Sequence, residues 1–249
     1  MSELATPSVT INVFDAVRDG NAEKLRAAIE QDPTCVHLDR VDVLPLMVAV
    51  REGHLECAEI LLLAGANVNA ANEYGWTALL EAVRQGNYEM VGLLLDYGAN
   101  WEVMSKRGDG IYHVATEIPD AGMIAQLHDW TEKSSVDQAT RQGRMSPLML
   151  AAERRLPDHV RILLELGADP QRKNRAGATA WDLAEGWPEG QALLAQGRTI
   201  TRAAPESSPT SAPTAAPLVV EQEPIAPPPA AGIQVTGVST IQKRRPGPR

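Results

Sequence analysis

Glycines return every 33 residues in the first half of the chain, at Gly20, Gly53 and Gly86. The text around them returns too: Ala16-Val17-Arg18-Asp19-Gly20-Asn21, Ala49-Val50-Arg51-Glu52-Gly53-His54 and Ala82-Val83-Arg84-Gln85-Gly86-Asn87. A second series, Gly65-Ala66-Asn67 and Gly98-Ala99-Asn100, keeps the same step. A unit this short cannot bury its apolar face alone, so its copies must stack on one another into a solenoid. Scaffolds of that kind bind partners more often than they perform chemistry.

Aromatic residues make up only 4 % of the chain against 44 % hydrophobic, so a stacked core must be filled by Leu, Ala and Val on packed helices. The net charge of −9 is unevenly spread. Residues 198–249 carry six Lys/Arg and three Asp/Glu, which makes that segment +3 and leaves −12 on the rest. A repeat body this acidic argues against binding nucleic-acid phosphates, which demand clustered Lys and Arg. Cys35 and Cys57 lie 22 residues apart with no CxxC, which points to neither a disulfide framework nor a zinc site. Met1 to Pro7 shows no basic region followed by an apolar run, and the longest apolar run, Ile60 to Ala64, is far short of a membrane span. The expectation is therefore a cytoplasmic, monomeric protein with no membrane span, no cofactor and no metal. A non-classical secretion route stays open.

The unit boundaries follow from a register on Pro45, Ala78, Ile111, Pro147 and Ala180, with steps of 33, 33, 36 and 33 residues. The text at these positions includes Thr77-Ala78-Leu79-Leu80-Glu81-Ala82, Ser146-Pro147-Leu148-Met149-Leu150-Ala151-Ala152 and Thr179-Ala180-Trp181-Asp182-Leu183-Ala184. These segments resemble the Thr-Pro-Leu-His-x-Ala signature of the ankyrin-repeat family, over roughly residues 12–197. The residues themselves explain the unit. A Ser or Thr hydroxyl caps a helix start, and proline fits the first helical position, where its missing N–H costs nothing. Ala49, Ala82 and Ala151 let the first helix approach its neighbours closely. Glycine then ends that helix in a turn of positive φ. Second helices are written Ile60-Leu61-Leu62, Leu93-Leu94-Leu95 and Ile162-Leu163-Leu164, closed by Gly65, Gly98 and Gly167. The resemblance implies that the loop after each pair is a β-hairpin finger, and that fingers and first helices form a concave binding surface.

The expected architecture is all-α: an ankyrin-repeat solenoid of about six helix-turn-helix units near 12–41, 42–74, 75–107, 108–143, 144–176 and 177–197. An N-terminal extension, 1–11, precedes it, and a disordered Pro/Ala-rich tail, 198–249, follows. Units one, four and six are irregular. Unit one lacks the Thr-Pro start. Unit four has Pro119-Asp120 in place of the turn glycine and is followed by a polar stretch, Thr131 to Arg144, expected to hang as a surface loop. Unit six is expected to have a second helix shortened and broken by Trp187-Pro188. Ten of the 18 prolines and no aromatic residue fall in the tail, which ends in Lys243-Arg244-Arg245-Pro246-Gly247-Pro248-Arg249. Spacer, docking segment and transport address all remain open for it.

Catalytic patterns are missing. No His lies four residues from another, and there is no His-Glu-x-x-His, nucleophile elbow or glycine-rich phosphate loop. His54, His113 and His159 fall at positions where hydrogen bonding or packing accounts for them; His37 and His128 carry no signal. An enzymatic site, as the competing reading, would centre on unit four at Asp109, His113 and His128. Binding has the stronger case. In the family register Val43, Trp76, Asp109, Met145 and Ala178 form a column at the finger bases, and three of the five are sizeable apolar residues. Trp76 either offers its indole to a partner or lies flat on the next finger; Trp101, aligned with Val68, is expected to pack. Arg51, Arg84, Glu117 and Glu153 form a second column along the first helices, suited to steering a partner or merely to solubility. The expected partner-binding residues are Val43, Trp76, Met145, Arg51, Arg84, Glu81 and Tyr74, and the expected partner is another protein.

Overall fold

Each of the five aligned positions opens a helix, and the reason is local. Thr77, Ser146 and Thr179 accept the backbone N–H of Leu80, Met149 and Asp182 through their side-chain oxygens, and Pro45 and Pro147 stand in the first helical turn. In this computed structural model the described residues are 12–37, 44–131, 135–137 and 145–202. They form α1 (Val13–Arg18) and α2 (Ala22–Gln31), followed by a 3-10 turn at Pro33–His37. Then come α3 (Pro45–Glu52) and α4 (Leu55–Leu63), α5 (Ala78–Arg84) and α6 (Tyr88–Asp96), and α7 (Ile111–Glu117) and α8 (Gly122–Trp130). The last pairs are α9 (Pro147–Glu153) with α10 (Pro157–Glu165), and α11 (Ala180–Leu183) with α12 (Pro188–Arg202).

Odd-numbered helices pack on one another in sequence, α1 on α3, α3 on α5 and so on to α11, and even-numbered helices form a parallel row from α2 to α12. Two rows of helices joined through neighbours only are what a solenoid requires. The extension at 1–11 and the tail beyond 202 lie outside the described residues. Among the described residues, no helix is long and apolar enough to cross a membrane.

A single apolar spine runs between the rows. Leu61, Leu94 and Leu163 from the second helices are fully buried, as are Ala49, Ala82 and Ala151 from the first. Cys57 and Cys35 sit in this core as free thiols, which burial pushes above the ordinary thiol range. Trp101 packs against it from the side. The stack is also stitched by side chains that reach back one unit: His54 Nε2 meets the Arg18 carbonyl at 3.1 Å, Gln85 donates to the Arg51 carbonyl at 2.8 Å, and His159 Nε2 meets the Ile118 carbonyl at 2.9 Å.

Turns between paired helices use positive φ, with Gly20, Gly53 and Gly86 at 65°, 76° and 68°. Arg155 holds the same place in the fifth unit at φ 57°. A side chain in that region costs about 1–2 kcal/mol relative to glycine, which adopts it freely. Arg155→Gly is therefore expected to stabilise the protein by about 0.5–1 kcal/mol, read as a higher urea midpoint. A lower midpoint would mean that the guanidinium, which lies against Gly186, contributes more than the strain removes.

Three expectations need correction. The sixth unit's second helix is not shortened. Pro188 opens α12, the longest helix at 15 residues, which runs to Arg202 and so crosses the expected tail boundary at 198. The short element is α11, four residues long, ended early by Gly186 at φ 73°. Next, the stretch after unit four does not hang free where it is described: Val136 is buried in the core, and the Asp137 carboxylate accepts the Asp169 N–H at 3.0 Å while its carbonyl accepts Arg172; residues 132–134 and 138–144 of that stretch lie outside the described residues. Finally, the implied β-hairpin fingers shrink, among the described residues, to one bridge, Ala71 to Thr77.

Unit four folds despite its missing glycine because Asp120 takes over the turn. Its carboxylate accepts the Gly122 N–H at 2.9 Å and the Tyr88 hydroxyl of the preceding unit at 2.7 Å. Burial, followed by the bond to Asp120, pushes the Tyr88 phenol up to about 12.

Candidate functional site

With each finger numbered by the unit it leads into, finger three (residues 72–77, before α5) and finger four (residues 105–110, before α7) are built on small polar hinges, and the last, finger six, leads into α11. Asn72 Oδ1 accepts the N–H groups of Tyr74 and Trp76, both at 3.0 Å, and Ser105 Oγ accepts those of Arg107 and Asp109 at 3.2 and 3.1 Å. The last finger uses Asn174 in the same way for Ala176 and Ala178. Adjacent fingers are joined by the Lys106 N–H donating to the Tyr74 carbonyl at 2.9 Å. Gly75, at φ 69°, permits that approach, since a Cβ there would come within 3.1 Å of the Lys106 nitrogen. The fingertips are thus held in place by their own backbone.

Three of the expected contact residues meet in one network at the base of finger three. The Trp76 indole N–H donates to Glu81 Oε2 at 3.0 Å, and Arg84 Nε donates to the same oxygen at 3.0 Å. Arg84 Nη2 and Gln85 reach the other carboxylate oxygen. Glu81 is only 7 % exposed. Burial pushes its carboxyl up, but the bonds from Arg84, Trp76 and Gln85 together outweigh it and hold it below the ordinary carboxylate range. Trp76 is half-buried and packs on the core, its polar edge committed to α5. Glu81→Ala leaves an indole N–H and a guanidinium without their acceptor and is expected to cost about 1–3 kcal/mol. Because the folded value is the lower one, this contribution is present above about pH 4.5 and lost as the pH falls through the folded value. A variant that unfolds like the parent at neutral pH would rule the network out as a stabilising element.

Above this network, between the two fingers, lies a half-open pocket of about 310 Å³. Tyr74, Trp76, Lys106, Arg107, Asp109 and Glu117 line it. Tyr74 is 66 % exposed, one of the few large apolar side chains left in solvent among the described residues. Asp109 is tethered to Ser105 Oγ at 3.3 Å, and Glu117 pairs with Arg154 of the next unit at 2.7 Å.

Other expected residues lie elsewhere. Val43 lies outside the described residues. Arg51 sits on α3 with Glu52 at 3.4 Å, both exposed. Met145 is half-buried before α9; its carbonyl meets His113 Nε2 at 2.9 Å, and Asn174 approaches its sulfur at 3.6 Å. The first-helix arginines are not a bare positive stripe, since Arg51, Arg84 and Arg154 each face a carboxylate. Lys106 and Arg107, absent from the expected set, are exposed at the pocket mouth.

His113 has both ring nitrogens engaged: Nδ1 accepts the Gly110 N–H at 3.3 Å and Nε2 faces the Met145 carbonyl, so it holds α7 to the start of α9. His128 lies on α8 with Nδ1 buried and unpaired. Among the described residues, no group of three or more His, Cys, Asp or Glu is placed to hold a metal ion.

Comparison with known proteins agrees with this geometry. The family model for ankyrin repeats (3 copies) matches residues 13–105, and that for a single ankyrin repeat matches 144–175; the stretch between them, residues 106–143, contains the irregular fourth unit. Among solved structures, the ankyrin repeat protein EF0377 is 26 % identical, covering 75 % of this chain and 98 % of that one, with a TM-score of 0.67. A chain from the complex of Bd0816, a predatory endopeptidase of Bdellovibrio bacteriovorus, with immunity protein Bd3460 is 25 % identical over 74 % of this chain and 97 % of that one, with a TM-score of 0.66. The ankyrin repeat domain of Bcl-3, 24 % identical over 79 % of this chain and 87 % of that one, matches in fold with a TM-score of 0.67.

Proposed function

The chain belongs to the ankyrin-repeat family, and from that premise we propose that it is a protein-interaction module gripping a partner protein through its fingers and first helices. The observation that carries this reading is the pocket between fingers three and four, where an exposed tyrosine stands beside a half-buried tryptophan on a rigid backbone. Aromatic side chains held this way contribute large contact area at little entropic cost, which is why they recur at interface hot spots. The partner is a protein, not a nucleic acid, because the repeat body is strongly acidic. No cofactor is needed for such capture. The monomer supplies the whole face.

The test compares Tyr74→Ala with Leu63→Ala. Both side chains are exposed, but Leu63 lies on the second-helix row. With the captured partner in hand, Tyr74→Ala is expected to weaken binding about tenfold or more at an unchanged unfolding midpoint, and Leu63→Ala to leave it unaltered. The opposite pattern would place the interface on the second helices. Trp76→Ala is the poorer probe, since it also strips Glu81 of a donor.

A second reading, neutralisation of a bacterial toxin or deployment as a secreted effector, is favoured by the likeness to the Bdellovibrio endopeptidase–immunity protein complex. It uses the same face and differs in what the residues after Arg202 do. A chain ending at Arg202 that keeps partner binding but loses its location supports deployment; a chain that keeps both speaks against it.

A further inference from the structure

Charge is sorted by face. On the second-helix row, Glu23, Glu56, Glu59, Glu89, Asp158 and Glu165 are all exposed. The fingertips carry exposed cations, with one exposed carboxylate, Glu73, beside Tyr74 on finger three. Lys106 and Arg107 on finger four and Lys173 and Arg175 on the last finger are exposed, and none of the four takes part in an ion pair among the described residues. Several other exposed arginines of the body do find carboxylates, among them Arg26 with Glu56 and Arg161 with Asp158 at 2.9 Å each, while Lys24 and Arg155 stand singly, each away from any other unpaired cation in sequence. On a body of net charge −12, four cations left without partners along one edge form a local positive track.

Resting on the interaction reading above, we propose that the fingertip edge recognises an acidic, extended segment of a partner protein, with a bulky apolar side chain seated beside Tyr74 and carboxylates on Lys106 and Arg107. The spacing sets the register. Fingers four and six are two units apart, and packed helices stand about 8–10 Å from one another, so the two cationic pairs are about 20 Å apart. An extended chain at about 3.3 Å per residue covers that in about six residues. The partner segment therefore carries two acidic clusters about six residues apart, with the apolar anchor at the first. A nucleic acid fits less well, because every nucleotide adds a phosphate near the carboxylates of Asp109 and Glu117 at the pocket and against the acidic body. Separated carboxylates touch only the cationic pairs.

The experiment uses the full chain and fluorescence anisotropy with four labelled probes. They are a twelve-residue peptide with two Asp-Glu pairs six residues apart and a leucine beside the first; the same peptide with the pairs adjacent; the same peptide with lysines for the acids; and a twelve-nucleotide oligothymidine. The spaced acidic peptide is expected to bind most tightly and to weaken as salt rises. Lys106→Glu with Arg107→Glu should weaken it about tenfold or more, and Lys173→Glu with Arg175→Glu should do likewise. Lys24→Glu with Arg161→Glu, on the second-helix row, should leave it unchanged. Equal binding of the lysine peptide, tighter binding of the oligonucleotide, or affinity indifferent to both fingertip reversals would overturn the proposal. The two levels separate cleanly. A captured partner that responds to Tyr74→Ala but not to the fingertip reversals removes this inference and leaves the interaction reading standing; a partner indifferent to both removes both.

Discussion

Leu94→Ala should lower the free energy of unfolding by about 2–5 kcal/mol, and Leu163→Ala by a similar amount. Both side chains are fully buried on second helices, Leu94 in α6 and Leu163 in α10. Removing three carbons there forfeits their transfer energy and leaves a void that packed helices cannot close. In a solenoid the effect does not stay local. Stability is close to a sum of unit terms and nearest-neighbour interfaces, and α6 packs on both α4 and α8. A cavity in the third unit therefore weakens two interfaces at once. Leu63→Ala is the control: its side chain is 70 % exposed in the neighbouring unit, and the change should stay within about 0.5 kcal/mol. Urea unfolding followed by helical circular dichroism measures all three. A Leu94→Ala protein that unfolds at the parent midpoint would show that the spine is not where the stability resides.

His113→Ala should cost about 2–4 kcal/mol, because it leaves the Gly110 N–H and the Met145 carbonyl without their partner inside the core. The same residue gives the protein a pH dependence. Burial lowers the His113 imidazole below its ordinary 6.5, more than the Met145 carbonyl and the nearby Asp109 and Glu117 raise it. The unfolded chain then binds the proton more readily than the folded one. The contribution is complete above 6.5 and is lost as the pH falls from there through the folded value. Unfolding midpoints taken from about pH 7.5 down to about 5.5 should fall for the parent and fall less for His113→Gln. Parallel curves for the two proteins would remove His113 as the source.

The parts of the fold that repeat are the parts the sequence reveals. A 33-residue step fixes the phase of every helix pair, and a hydroxyl or proline at each start says where the helix begins. What repeats in one copy only is harder to see. Pro188 reads as a helix breaker, yet at the first turn of α12 it is a helix starter, and the informative residue was Gly186 two places earlier. Val136 is a lone apolar residue in a polar stretch, too isolated for any periodicity to mark it as core. The site was half visible. Trp76 announces itself by size and position, but its bond to Glu81 five residues on depends on how finger and helix meet, which no pattern encodes. Lys106 and Arg107 are hidden by averaging: in a body of net charge −12 what sets them apart is that neither joins an ion pair among the described residues, and pairing is a property of the folded surface.

The most direct test of the interaction face is hydrogen exchange on the full chain, free and bound to its partner. Binding should slow exchange at the amides of 72–76 and 105–110 and along the starts of α5 and α7, with little change on α2, α4 and α6. Slowing confined to the second-helix row, or absent from the fingers, would contradict it.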